Sequence, residues 1–248
     1  LGRTATTGAN VVWYLNTGAY IGQGSLPTLA APSWVIGAVT DFNQDGWPDV
    51  LWRNLSSGTN LVWYLNGTSI ALQAELPAVA VQSWQIAASA DMNQDGFPDV
   101  IWRNLASGAN LVWYLSGGGY AGQADLIAVP DLAWRLMAAL DMNRDRWPDL
   151  IWRNTTTGAN LVWFMSGGSY SGQSALPPDA EPAWQMIGSL LPDVPADING
   201  DRRPDLVWRN LATGANLVWY VNGVAYQGHG TWPSVPDLAC RMEARPGL

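Results

Sequence analysis

Apolar residues fall in short runs along the whole chain, each bounded by Gly, Asn, Asp or Pro. Trp, Val, Ile, Tyr and Leu dominate these runs, and no stretch of useful length keeps the three-to-four-residue spacing of an amphipathic helix. The pattern therefore predicts β-strands throughout. One unit reads SWVIGAVT, PDVLWRN, NLVWYLN and SIALQAEL, joined by tight loops such as LSSG. That makes four short strands before the pattern starts again.

The unit recurs. The segment DxNxDGxPDxxWRN occupies residues 41–54 and 91–104 and returns in altered form from 141 and from 197. A segment close to GxNLVWYL follows each copy and also occurs near the start of the chain, at 8–15, 58–65, 108–115, 158–165 and 214–221. A third element places Gln23, Gln73, Gln123 and Gln173 in matching slots, with His229 in the fifth, and Trp34, Trp84, Trp134 or Trp184 opens the next strand. Four-stranded units repeating at this period predict a β-propeller. The expected fold is all-β, a five-bladed propeller in one domain over residues 1–248.

Both ends of the chain bear on closure of the ring. Arg3 aligns with Arg53, inside a second strand, and ACRMEARPGL aligns with AWRLMAALDM, a first strand. A seam blade shared by residues 1–33 and 234–248 is expected, with N-terminal strands pairing with the C-terminal one, which removes open sheet edges.

Charge sharpens the picture. The net charge is −8, with 17 Asp, three Glu, 12 Arg and no Lys, and 12 of the Asp lie in the DxN turns. Oxygen side chains at positions one, three, five and nine, with a backbone carbonyl at seven, are how a loop wraps a calcium ion. The four sets are Asp41, Asn43, Asp45 and Asp49; Asp91, Asn93, Asp95 and Asp99; Asp141, Asn143, Asp145 and Asp149; and Asp197, Asn199, Asp201 and Asp205. An EF-hand would need Glu at position twelve, where Trp52 and Trp102 stand. Position six is Gly46 and Gly96 in the first two turns but Arg146 and Arg202 in the others, where a left-handed backbone would cost roughly 1 kcal/mol. Up to four Ca2+ are expected, held more weakly by the third and fourth turns. Asx turns that merely cap hairpins are the alternative.

The DxNxDGxPD loop followed by WRN and GxNLVWYL resembles the FG-GAP and VCBS repeats of integrin α-chain propellers, bacterial surface proteins and some propeller lectins. The resemblance covers essentially the whole chain. It implies a propeller with calcium between the first two strands of a blade and an extracellular role in adhesion or recognition. Propellers of that family commonly have seven blades.

Little here points to catalysis. His229 is the only histidine, Cys240 the only cysteine, and Glu75, Glu181 and Glu243 lie outside any shared motif, so the chain reads as a binding protein. The lone cysteine excludes an internal disulfide framework. Dispersed arginines argue against nucleic acid, and the absence of an apolar run of roughly 18–20 residues argues against membrane insertion. Most of the 16 Trp recur at fixed strand positions and read as packing. Trp47, Phe97 and Trp147 differ, standing at position seven of a turn, where a sugar ring can stack. Arg53, Arg103 and Arg153 are the expected hydrogen-bond donors beside them. The expected function is multivalent carbohydrate recognition by a secreted or cell-surface module, and the alternative is an adhesion propeller with an extracellular protein partner. Oligomeric state has no signal in the sequence.

Overall fold

The computed structural model describes residues 1–4, 7–16, 19–29, 32–179, 183–187, 197–232, 234 and 240–242, with backbone alone at 13, 15, 16, 19, 20 and 240–242. These residues form five antiparallel four-stranded sheets, the blades of a β-propeller. The chain opens with β1 (Gly2–Thr4), β2 (Asn10–Asn16) and β3 (Ala19–Leu26). The next blade is β4 (Trp34–Thr40), β5 (Asp49–Asn54), β6 (Asn60–Asn66) and β7 (Ser69–Leu76). It is followed by β8 (Trp84–Ala90), β9 (Asp99–Asn104), β10 (Asn110–Ser116) and β11 (Gly119–Leu126). Then come β12 (Trp134–Leu140), β13 (Asp149–Asn154), β14 (Asn160–Ser166) and β15 (Ser169–Leu176). The last full blade is β16 (Trp184–Met186), β17 (Leu206–Asn210), β18 (Asn216–Asn222) and β19 (Ala225–Trp232), and β20 (Cys240–Met242) returns to the first sheet. No helix occurs among the described residues.

The seam forms as the alignment of the two ends predicts. β20 pairs antiparallel with β1 in the register Gly2–Met242, Arg3–Arg241 and Thr4–Cys240, completing the order β20-β1-β2-β3.

Burial follows position within the blade. In β5 every residue from Asp49 to Arg53 is buried, because neighbouring blades cover both faces of the second strand, and its apolar residues accordingly run without alternation. The outermost strand β7 is largely exposed. The core lies between blades: Leu51, Val62 and Tyr64 of one blade share a cluster with Ile86, Trp102 and Trp113 of the next. A single blade cannot bury such a face alone, so the repeats stabilise one another in sequence round the ring. At the β4 bulge between Ile36 and Ala38, a Cβ on Gly37 would come within 2.5 Å of Ile86, so glycine there lets adjacent inner strands meet.

Candidate functional site

The recurring WRN and GxN segments form one hydrogen-bonded unit. Trp52 is fully buried against Trp63, their rings 4.9 Å apart. The indole N–H of Trp52, Trp102, Trp152 and Trp208 has no hydrogen-bond partner, so these rings act through face and bulk. Asn54 Oδ1 accepts from the amides of Ser56 and Ser57, capping the turn that Gly58 closes with φ 78°. Asn60 Nδ2 donates to the Pro77 carbonyl, and its Oδ1 accepts from Arg53.

Arg53, Arg103 and Arg153 require a correction. They are buried, and they do not stand at the surface beside a sugar. Arg53 donates to the carbonyls of Gly58, Val79 and Val81, and Arg103 repeats the set with Gly108, Val129 and Asp131. Burial lowers both guanidinium pKa values to about 10. The guanidinium Nη groups are structural clasps within the fold, while the buried Nε of Arg53 and of Arg103 has no hydrogen-bond partner.

In the acidic turns the side chains curl onto their own backbone. Asp41 Oδ1 and Oδ2 accept from the amides of Asp45 and Gly46, Asn43 Oδ1 from Asp45, and Asp45 Oδ1 from Trp47, at 2.7 to 3.1 Å. The second turn repeats this with Asp91, Asn93 and Asp95, the third with Asp141, Asn143 and Asp145, and the fourth with Asp197, Asn199 and Asp201. Position six is left-handed in all four, with φ 90° at Gly46, 95° at Gly96, 77° at Arg146 and 65° at Arg202. Position four is left-handed as well, at Gln44, Gln94, Arg144 and Gly200, which three of the four turns hide because the residue there is not glycine.

The ninth-position aspartates lie apart from the other three ligand candidates, on the buried side of the turn. Asp49 Oδ2 accepts from Phe42 N and Oδ1 from Leu65 N, each at 2.9 Å, so the carboxylate ties the turn to β6. Asp99 does the same with Met92 and Leu115, Asp149 with Met142 and Met165, and Asp205 with Ile198 and Val221. Burial raises the pKa to about 6 at Asp49, Asp149 and Asp205 and to about 7 at Asp99, against the pull of the backbone donors. Neighbouring aspartates push in the same direction as burial: Asp45 and Asp41 act on Asp49.

The donor chemistry of each turn is all oxygen, preset by backbone hydrogen bonds and crowded with like charge, which fits a hard divalent cation. Among the described residues, no three His, Cys, Asp or Glu side chains are already gathered into a metal-holding group. Asp41, Asn43 and Asp45 and their counterparts would be the ligands nearest solvent, and Asp49 and its counterparts would close the set from the buried side.

The position-seven aromatics are not equivalent. Trp47 is 45% exposed, whereas Phe97 and Trp147 are half-buried, the Trp147 ring lying over Gly167. A more regular group lies on the outer strands. Tyr120, Tyr170 and Tyr226, each about two-fifths exposed, stand edge-on to Trp113, Trp163 and Trp219 at 5.2, 5.2 and 5.4 Å. Exposed Gln123 accepts from Trp113 Nε1 at 3.1 Å and from the Tyr120 hydroxyl at 3.4 Å. In the last full blade His229 Nδ1 meets the Tyr226 hydroxyl at 2.7 Å. The sequence signal for this group is the recurring Tyr-x-Gly-Gln or Tyr-x-Gly-His, at Tyr20, Tyr120, Tyr170 and Tyr226, while Ile70 and exposed Leu72 break it in one blade. Glu181 and Glu243 lie outside the described residues.

The sequence matches the FG-GAP-like repeat over residues 41–102 and again over 91–152. It is an FG-GAP repeat propeller. No curated protein matches the chain. Solved structures resemble this FG-GAP propeller at low identity. A chain in the crystal structure of a nidogen/laminin complex is 13% identical with a TM-score of 0.53, the match covering 92% of each chain. A protein of unknown function from Bacteroides caccae is 12% identical with a TM-score of 0.44, covering 92% of this chain and 72% of that one. A putative 6-phosphogluconolactonase from Bacteroides uniformis is 15% identical with a TM-score of 0.44, covering 89% and 63%. Among the described residues of the FG-GAP propeller, no helix is long and apolar enough to cross a membrane.

Proposed function

We propose that this FG-GAP propeller is a calcium-stabilised recognition module, secreted or displayed at a cell surface, that binds carbohydrate at several equivalent positions without turnover. The observation that carries this reading is the outer-strand group: an exposed tyrosine braced by a tryptophan and flanked by an exposed glutamine or histidine, at Tyr120, Tyr170 and Tyr226. An aromatic edge and face beside amide or imidazole hydrogen-bonding groups suits a sugar ring, which is apolar on one side and hydroxylated round its rim. Repetition makes weak individual sites effective through multivalency. In the last full blade the Tyr226 hydroxyl and His229 Nδ1 offer a paired hydrogen-bonding group that suits sugar hydroxyls. Millimolar extracellular calcium would suit loops with this donor set.

A glycan array in calcium and in chelator tests the reading. The wild-type chain is expected to give signals that the triple variant Tyr120→Ala, Tyr170→Ala, Tyr226→Ala loses while staying folded. A blank array, or signals indifferent to the triple variant, overturns it. The second reading is a protein-interaction module, which the FG-GAP repeats favour and which accords with the fold likeness to a chain of a nidogen/laminin complex. That reading expects one saturable protein partner and no glycan signal.

A further inference from the structure

The arginines are spread along the chain, but four of the 12 fall in the third and fourth acidic turns: Arg144, Arg146, Arg202 and Arg203. The first two turns have Gln44 with Gly46 and Gln94 with Gly96 in the corresponding fourth and sixth positions, and Trp47 or Phe97 where Arg203 stands. Arg144, Arg146 and Arg202 are exposed, and Arg203 is half-buried. Three of them hold the left-handed backbone, at φ 68°, 77° and 65°, where a Cβ costs roughly 1 kcal/mol that glycine avoids. Gln44 and Gln94 hold the same left-handed fourth position, so that conformation belongs to the turn; at the sixth position Arg146 and Arg202 keep it where the first two turns have Gly46 and Gly96.

The two turns also touch. Arg144 Nη2 donates to the Arg202 carbonyl at 3.4 Å, which carries the side chain of one turn across the blade boundary onto the next. The first aspartate of each turn bonds to its own backbone, Asp141 accepting from the amides of Arg144, Asp145 and Arg146 and Asp197 from those of Gly200, Asp201 and Arg202, while Asp145 and Asp201 stay exposed. Among the described residues none of the four arginines is paired with a carboxylate.

We propose that these four arginines form an anion-binding site spanning the third and fourth turns, and that its ligand is an acidic polysaccharide bearing sulfate or carboxylate groups. Guanidinium forks match both groups bidentately, and a patch that crosses two turns suits a polymer carrying several charges. The site uses none of the outer-strand tyrosines. Its strength does rest on the calcium reading, since six aspartates against four arginines leave these turns at −2, and two calcium ions would bring them to +2.

The test uses the full chain against heparin, polygalacturonate, neutral dextran and a single-stranded oligonucleotide, in calcium and in chelator, with melting followed in the same samples. The variant Arg144→Gln, Arg146→Gly, Arg202→Gly, Arg203→Trp gives these turns the residues that the first two already carry, so it is expected to fold. In calcium, wild type is expected to bind heparin or polygalacturonate, more weakly as salt rises, and the variant to bind roughly tenfold less or worse without melting lower. Preference between the two polymers separates sulfate from carboxylate. Equal binding to dextran, undiminished binding by the variant, or tightest binding to the oligonucleotide overturns the proposal. A calcium-dependent rise in melting without polysaccharide binding also overturns it while the calcium reading survives; binding without such a rise supports the arginine site and rejects calcium.

Discussion

The guanidinium carbon of Arg53 lies 4.9 Å from the centre of the Trp102 ring on the neighbouring blade. The same clasp joins Arg3 to Trp52, Arg103 to Trp152 and Arg153 to Trp208, at 5.1, 5.0 and 4.9 Å. Each arginine therefore fastens its own hairpin turn, the segment leading into the next blade, and the face of that blade's central tryptophan. The ring is held at its joints by a charge over a π-face that water does not reach, where such contacts are strongest.

Arg103→Ala is expected to destabilise the fold by about 3 kcal/mol, because it strands the carbonyls of Gly108 and Val129 and uncovers Trp152. Arg103→Lys keeps the charge but cannot reproduce the fork, and should lose about 2 kcal/mol. Urea unfolding midpoints measure both. Two wild-type midpoints would remove the clasp from the account.

Asp99→Asn separates the structural work of the ninth position from any metal work. The carboxylate accepts from two buried amides, Met92 and Leu115, and an amide side chain can serve only one of them. A loss of about 1–3 kcal/mol is expected even in chelator, by equilibrium unfolding. Stability that changes only when calcium is present would make Asp99 a ligand and nothing more.

Gly108 sits at φ 76°, and a Cβ there would fall 2.1 Å from the Val129 carbonyl oxygen. Gly108→Ala should destabilise by about 2 kcal/mol or more, since backbone blocks the way. Gly117, at φ 56° with open space around it, should lose only about 1 kcal/mol on the same change. Thermal denaturation of the two variants side by side checks the difference.

Calcium should raise the melting temperature and chelator should reverse it, by linkage between ion binding and folding. Arg146→Gly relieves a left-handed position and removes a positive charge from the third turn, so that turn should bind calcium more tightly by titration calorimetry. No heat and no melting shift in either protein would reject the calcium reading.

Repetition and alternation in the chain suffice for the strands, the five blades and the seam, because apolar runs punctuated by glycine and asparagine specify short paired strands wherever they occur. The left-handed sixth position was legible too, since glycine stands there in two turns and arginine in two. The place of Arg53 was not. A motif reading WRN is the same string whether its arginine meets solvent or the next blade, and only the docking of Trp102 against it decides which. The same holds for Asp49: spacing alone places it among the turn's oxygens, yet the approach of Leu65 on β6 draws it into the interior. Local sequence sets which residues can turn, pair and bury. Which charges end up shielded from water, and which stay free to meet a ligand, depends on contacts between residues 16 to 49 positions apart that exist only once the blades have closed on one another.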